Sequence, residues 1–330
     1  RLPIIASNVQ ISYIEVWITN RNNSVGNTRN VMGYMDLGEN ADNTYRNFLV
    51  GPANAYPDNY ATSLYRDIVD RSTEFCNPID GRLQLGTDYE CLSNARKLNE
   101  NEFSYHPTLG YLSLNQSLNN DELLMVAYTY TINGENHQVG DLTVNNSIST
   151  GDNSHLNLKL LKNSTIKTNL PTWNLMMKNI YSLQTYRMQR DGFRLELLYA
   201  DDATGVPINI LQNAQTTGIS DKTLLNLFDI DKLDQSQFAV PEGDGYFDYV
   251  EGSTVNSEKG FIIFPTVEPF GKDLKSKLTD IADEKYIFNE LYEITQSEAR
   301  NNFQQKVHVY NENSKSDKKH YFICHHVVFV

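Results

Sequence analysis

The sequence predicts a mainly β chain with helices: a β-rich α+β protein of antiparallel sandwich or jelly-roll-like layers accompanied by a few amphipathic helices. Three observations carry that expectation. Runs of strand length are rich in β-branched and aromatic residues, as in VQISYIEVWITN from Val9 and ELLMVAYTYTI from Glu122. Tyr (20) outnumbers Phe (14) and Asn is abundant, which suits half-exposed strands joined by turns. Asn133-Gly134 separates two such runs, and both central residues of a type I′ turn need positive φ, so a hairpin is expected there.

In chain order, Val9 to Asn20 is a strand whose apolar residues fall first at 9, 11 and 13 and then at 14, 16 and 18, a parity switch that predicts a bulge. Asn30 to Glu39 is a second strand, and Asn40 to Asp58 is polar and Pro-containing, a surface loop. Tyr60, Leu64 and Ile68 recur every four residues and predict a short helix from Asn59 to Asp70. Leu83 to Cys91, Gly110 to Leu114 and Glu122 to Ile132 read as strands, the last turning through Asn133-Gly134 into His137 to Leu142. His155 to Lys162 alternates Leu156, Leu158 and Leu160, a strand with one wet face. Pro171 opens a helix carrying Trp173, Met176, Met177, Ile180 and Tyr181, a stripe read as core filling. Phe193, Leu195 and Leu197 alternate in a strand, and Ser220 is the expected N-cap of a helix with Leu224, Leu225, Leu227 and Phe228. One or two amphipathic helices are expected over Lys272 to Lys306. Asp88-Tyr89 ahead of Gly110-Tyr-Leu-Ser-Leu, and Asp248-Tyr249 ahead of Gly260-Phe-Ile-Ile-Phe, suggest one strand, turn, strand device used twice.

At 330 residues the chain has room for one large domain or two ordinary ones. The polar stretch NNSISTGDNS places the break near 145 to 155: a β-rich domain with the Asn-Gly hairpin over 1–150, and an α+β domain ending in amphipathic helices over 151–306. Residues 307–330, closing on ICHHVVFV, change character and read as a truncated or foreign tail. Arg1 at the start, with no leader following it, is what an internal piece would show.

The charge of −13 repels phosphate backbones, so nucleic acid is not an expected partner. No apolar run is long enough for a membrane-crossing helix. Cys76, Cys91 and Cys324 make no metal spacing and no disulfide framework; Cys76 and Cys91 are close enough in sequence to pair, and at least one thiol stays free. No dinucleotide or P-loop glycine pattern, G-x-S-x-G or H-E-x-x-H occurs, so no cofactor and no catalytic residue is assigned. Cys324, His325 and His326 cluster only in the doubtful tail.

The acidic loop PEGDGYFDYVEG holds Glu242 together with the calcium candidates Asp244, Asp248 and Glu251, preceded by Asp229, Asp231 and Asp234, because hard oxygen ligands on a turn suit Ca²⁺. The spacing is not that of an EF-hand, and the same residues make ordinary β-turns. Glu15 inside the first strand needs a partner, for which Arg21 or Arg29 is expected, or else faces a ligand beside Trp17. Tyr128 and Tyr130 are binding candidates if exposed and core if their parity is buried.

Longer blocks carry a resemblance. RLPIIASNVQISYIEVWITNR, TRNVMGYMDLGE, HPTLGYLSLNQSLNNDELLMVAYTYTINGENHQVGDL, LKLLKNSTIKTNLPTWNLMMKNIYSL, GDGYFDYVEGSTVNSEKGFIIFPTVEPFG and EKYIFNELYEIT, in that order from Arg1 to about Gln305, closely resemble a segment of the SprA (Sov) family. These are very large outer-membrane proteins of the type IX secretion system, also tied to gliding motility. The resemblance implies a non-catalytic structural or interaction portion of a protein-conducting translocon in the outer membrane of a Gram-negative bacterium. That portion would be a soluble insert facing the cell surface or periplasm. The implied partners are the rest of the barrel, its accessory outer-membrane subunits, and cargo carrying a C-terminal sorting domain. A carbohydrate-binding β-sandwich at the cell surface is the alternative, motivated by the Trp17 strand and the acidic loops.

Overall fold

The first strand, β1 (Val9–Ile18), sets the architecture of the unit it opens. In the computed structural model, which describes residues 8–21, 26–35, 37, 74–78, 83–144, 154–183, 185–200, 205–295, 298, 307–311 and 327–329, its pairing slips one residue between Ile11 and Tyr13. That slip is the expected bulge. It puts Ile14, Val16 and Ile18 on the face begun by Ile11, and Tyr13, Glu15 and Trp17 on the other. The expected helix over 59–70, the loop at 40–58 and the Cys324-His325-His326 cluster lie outside the described residues.

The chain divides into two units, one built on 6–176 and the other on 177–325. In the first, β1 is followed by β2 (Thr28–Tyr34), β3 (Tyr89–Lys97), β4 (Phe103–His106), β5 (Tyr111–Leu114), β6 (Leu124–Ile132), β7 (Glu135–Val139) and β8 (His155–Lys162). Strand β1 pairs with both β3 and β6, β3 with β2, β2 in parallel with β8, and β8 with β6, so the sheet closes on itself as a five-stranded barrel. Hairpin strand β7 extends β6 beyond the stretch paired with β8. Trp17, Val31, Ala95, Met125, Ala127, Leu156, Leu158 and Leu160, drawn from all five staves, form one buried cluster, the barrel interior. The opposite faces of the staves carry Ile14, Val16, Met32, Tyr34, Val126 and Leu161, packed with Phe103 and Leu112 of the β4–β5 hairpin. The chain is thus mostly β with few, short helices, as the sequence predicts, but the layer in this unit is a closed barrel under a small sheet.

That closure explains several departures from expectation. Strand β8 has no wet face, because Leu161 packs into the outer cluster and Lys159 is buried with its ammonium donating to the carbonyl of Met35. The unit boundary falls at 176/177 and not near 150, since β8 is a stave of the first barrel. Strand β3 starts at Tyr89 and runs to Lys97, because residues 84–88 make a turn in which the Thr87 and Asp88 N–H groups donate to the carbonyl of Gln84. The Asn-Gly hairpin is present, with φ of 51° at Asn133 and 86° at Gly134, and β7 begins one residue after the turn.

Cys76 and Cys91 form a disulfide, with Cα atoms 5.6 Å apart and a sequence separation of 15. Cys91 lies on β3, so the bridge ties the 74–78 turn to the barrel wall. Replacing both cysteines by serine is expected to lower the unfolding free energy by about 3 kcal/mol, the cost of freeing a loop of this length in the denatured chain. Urea unfolding of wild type and variant under oxidising conditions measures it; equal midpoints would mean that the bridge adds nothing.

The second unit contains β9 (Ile180–Ser182), β10 (Leu195–Ala200), β11 (Pro207–Ile208), β12 (Val255–Asn256), β13 (Phe261–Ile263) and β14 (Val307–Asn311), in two three-stranded sheets ordered β11-β10-β14 and β12-β13-β9. Its core is aromatic: Tyr181, Phe228, Phe264 and Phe270 meet edge to face with ring centroids 4.9 to 5.8 Å apart. The helix opened by Pro171, α1 (Pro171–Leu175), ends early with Met176 extended, and Ile180 and Tyr181 belong to β9. The stripe of Trp and Met is therefore not one helical face. Helix α2 (Leu224–Leu227) is capped by the hydroxyl of Thr223, not by Ser220. Over residues 272–295, where long helices are expected, the described chain makes three short turns, α3 (Lys272–Lys277), a 3₁₀ turn over Ile281–Tyr286 and α4 (Glu290–Glu293); most of 296–306 lies outside the described residues. Nor is the tail without partners: β14 pairs with β10, and β15 (Val327–Phe329), in the first unit, pairs with β5.

Of the suspected internal repeat only the glycine-closed hairpin is shared, since Tyr89 opens β3 whereas Asp248-Tyr249 lies outside any strand. Both β4–β5 and β12–β13 are hairpins closed by four-residue loops ending in glycine, with partners His106↔Tyr111 and Asn256↔Phe261. The loop glycines, Gly110 and Gly260, have φ of 69° and 68°.

Candidate functional site

Two places bring the sequence candidates together. The first is the inward face of β1. Glu15 is buried, and its Oε1 accepts from Lys97 Nζ at 2.7 Å, from the Thr143 hydroxyl at 2.5 Å and from the Tyr13 hydroxyl at 3.2 Å. Its Oε2 accepts the Thr143 N–H at 3.2 Å. Burial alone would raise this carboxyl, but the Lys97 and Thr143 bonds outweigh it and hold the group below the usual carboxylate range. Its partner is thus Lys97, on the neighbouring stave, and not Arg21 or Arg29. Arg21 pairs with Asp121 and Glu122 instead. Linear proximity points to Arg21; antiparallel pairing of β1 with β3, which sets Trp17 opposite Lys97, decides otherwise.

Trp17 is 1 % exposed in the barrel interior, so its rings offer no platform to a sugar. That removes the observation that motivated a glycan-binding face at this strand. Tyr128 and Tyr130 share one face of β6, their ring centroids 6.1 Å apart, and Tyr130 stacks on His137 at 5.1 Å. Tyr130 is buried, Tyr128 is half-buried against the same cluster, and burial pushes the Tyr128 hydroxyl well up from its ordinary value. Both tyrosines are packing residues on the parity that faces the core.

The second place is the acidic loop region of the second unit. Asp248 is buried, and its two oxygens accept the N–H groups of Lys232 and Leu233 at 2.7 and 2.8 Å. Asp244 Oδ1 accepts the N–H of Tyr246, Asp234 Oδ1 those of Ser236 and Phe238, and Glu251 Oε1 that of Ser257. Asp231 faces the side-chain amide of Asn226 at 3.3 Å, and Asp229 pairs with Lys277 at 2.7 Å. The calcium candidates therefore each bind backbone, Asp244 and Glu251 within their own loops and Asp248 across to residues 232–233, and among the described residues no three metal-ligating side chains converge. The spacing that suggested oxygen ligands is the spacing of carboxylate-closed turns.

Burial, reinforced by Asp231 and Asp244 nearby, pushes the Asp248 carboxyl up to about 6 despite its two backbone bonds. The folded chain then holds a proton that the unfolded chain releases near pH 4, so this group's contribution to stability falls as pH rises from about 4 to about 6 and is level above. The change amounts to about 2 to 3 kcal/mol. Asp248→Asn cannot titrate, and the difference in unfolding free energy between wild type and this variant should shrink by that amount over the window as pH rises. A difference that does not vary with pH would sink the assignment.

The turns of this region also enclose a groove of about 510 Å³ between residues 190–193 and the 233–250 stretch. Phe193 meets Phe247 at 5.8 Å and Tyr249 edge-on at 5.2 Å, forming an aromatic floor. The sequence does not mark Phe193 as a site residue, because strand alternation accounts for it; nothing in the spacing ties it to residues some fifty positions on. Comparison with models of known protein families and with curated proteins finds no match for the chain.

Proposed function

We propose that this chain is a non-catalytic structural and interaction portion of the outer-membrane, protein-conducting translocon of the type IX secretion system, supporting protein export and gliding motility. The observation that carries the reading is the ordered run of sequence blocks from Arg1 to about Gln305 that resemble the SprA family. The chemistry of the fold supports it. Buried carboxylates here clamp backbone: Asp248 and Asp283 hold N–H groups of neighbouring loops, and Glu15 ties two staves to the 143 segment. Rigid frames spend their ionisable groups this way, whereas a catalytic site leaves some facing substrate. The Cys76–Cys91 bridge belongs to an oxidising compartment, which suits a place outside the cytoplasm, at the cell surface or in the periplasm.

In this reading the partners are the remainder of the barrel, its accessory subunits and cargo with a C-terminal sorting domain. Deleting the corresponding region from the full translocon tests it: complexes recovered from outer membranes should lose subunits, and cargo should accumulate inside the cell. Normal assembly together with normal export would refute it.

A further inference from the structure

The aromatic groove of the second unit has a use that the architectural reading does not supply. Its floor is Phe193, Phe247 and Tyr249, and its rim includes Asp234, Asp244 and Tyr246, the last 60 % exposed. Asp234 and Asp244 each close a turn through Oδ1 alone; among the described residues the Oδ2 of each has no hydrogen-bond partner. Arg190, the cation of the rim, donates from Nη2 to the carbonyl of Gln235 at 3.1 Å, which ties it to one wall. Aspartates outnumber arginine around the opening, on a chain that is itself at −13. The volume is that of a ligand pocket, and the open rim oxygens only accept.

We propose that this groove binds the guanidinium group of an arginine side chain carried by an extended polypeptide. A guanidinium has five donors and no acceptor, so it matches a rim of open carboxylate oxygens, and its flat face lies well on aromatic rings. An ammonium lacks the flat face. A sugar brings hydroxyls that also need donors, whereas the open rim oxygens of Asp234 and Asp244 only accept. The proposal goes beyond the translocon reading and does not depend on it.

The test uses the full chain and a blocked Gly-Arg-Gly-Arg-Gly peptide, with the same peptide carrying citrulline, a neutral isostere, in place of arginine, followed by titration calorimetry at low salt. The arginine peptide should bind at least about tenfold more tightly than the citrulline peptide, and more weakly as salt is raised. The double variant Asp234→Asn/Asp244→Asn keeps the Oδ1 acceptors that close the turns and removes only the charges. It should melt with wild type and lose about tenfold in affinity for the arginine peptide. Equal binding of the two peptides, no binding of either, or a double variant that melts normally and binds like wild type would overturn the proposal. So would maltohexaose binding that Tyr246→Ala abolishes, which would give the groove to a glycan.

Discussion

Gly260→Ala is expected to be among the most destabilising single-methyl additions in the second unit, at about 3 to 5 kcal/mol. Gly260 closes the β12–β13 hairpin at φ 68°, and a Cβ placed there would lie 1.7 Å from the carbonyl oxygen of Thr185 and 2.7 Å from its carbonyl carbon. Both obstacles are backbone, so no rotamer change relieves them. The Gly260 carbonyl also accepts the N–H of Leu183, which binds the two approaching segments together. To admit the methyl, either that bond or the β13–β9 pairing of Phe261 with Ser182 has to give way. Gly245→Ala separates clash from backbone strain, since Gly245 has φ 81° but a Cβ there meets nothing within 4 Å. It should cost only the ~1 to 2 kcal/mol of a left-handed alanine. Urea unfolding followed by tyrosine and tryptophan fluorescence compares the two; equal losses would show that the close approach at Thr185 is not rigid.

The contrast between these glycines shows what sequence pattern reaches and where it stops. Period-two alternation and turn chemistry are local, so β1 with its bulge, β6, the Asn133-Gly134 hairpin and the full extent of β8 could be read directly. What closes β1 onto both β3 and β6 is not local. Nothing in either strand announces that Glu15 will meet Lys97 across 82 positions, so the nearer arginines looked like its partners. The apolar period over 272–306 fits a helix, yet Leu278 is extended and the segment breaks, because its apolar residues turn inward one at a time onto an aromatic core. The same limit hid the groove: Phe193 and Tyr249 each read as ordinary strand or loop residues until the fold set them edge to face. For Asp244, Asp248 and Glu251, residue type was a true signal of oxygen acceptors, and only the fold reveals that the donors are N–H groups of the surrounding loops.

Asp283 carries the other large effect, and no sequence motif marks it. Its side chain is buried with 0 % exposure at the 3₁₀ turn. Oδ1 accepts the N–H of Gln215 at 2.8 Å, and Oδ2 accepts the N–H of Thr216 at 2.8 Å and its hydroxyl at 2.6 Å. That hydroxyl in turn accepts the N–H groups of Thr279 at 3.0 Å and Asp280 at 3.1 Å, so one carboxylate anchors a network joining the 215–216 loop to the start of the turn. Burial works against ionisation, but the Thr216 and Gln215 bonds prevail and hold the carboxyl below the usual carboxylate range. Asp283→Asn keeps the shape and replaces one acceptor with an NH₂ facing an N–H, leaving buried donors opposed; a loss of about 3 kcal/mol or more is expected at pH 7. Thr216→Val should cost less, and the double variant less than the sum, because the two side chains serve one network. The sign of the pH dependence provides a second check. A lowered folded-state carboxyl contributes stability that is complete above the ordinary carboxylate range and disappears as pH falls through and below it. The gap between wild type and Asp283→Asn should therefore narrow on acidification, opposite in direction to the Asp248 effect. Additive costs with a gap indifferent to pH would mean that the carboxylate only fills space.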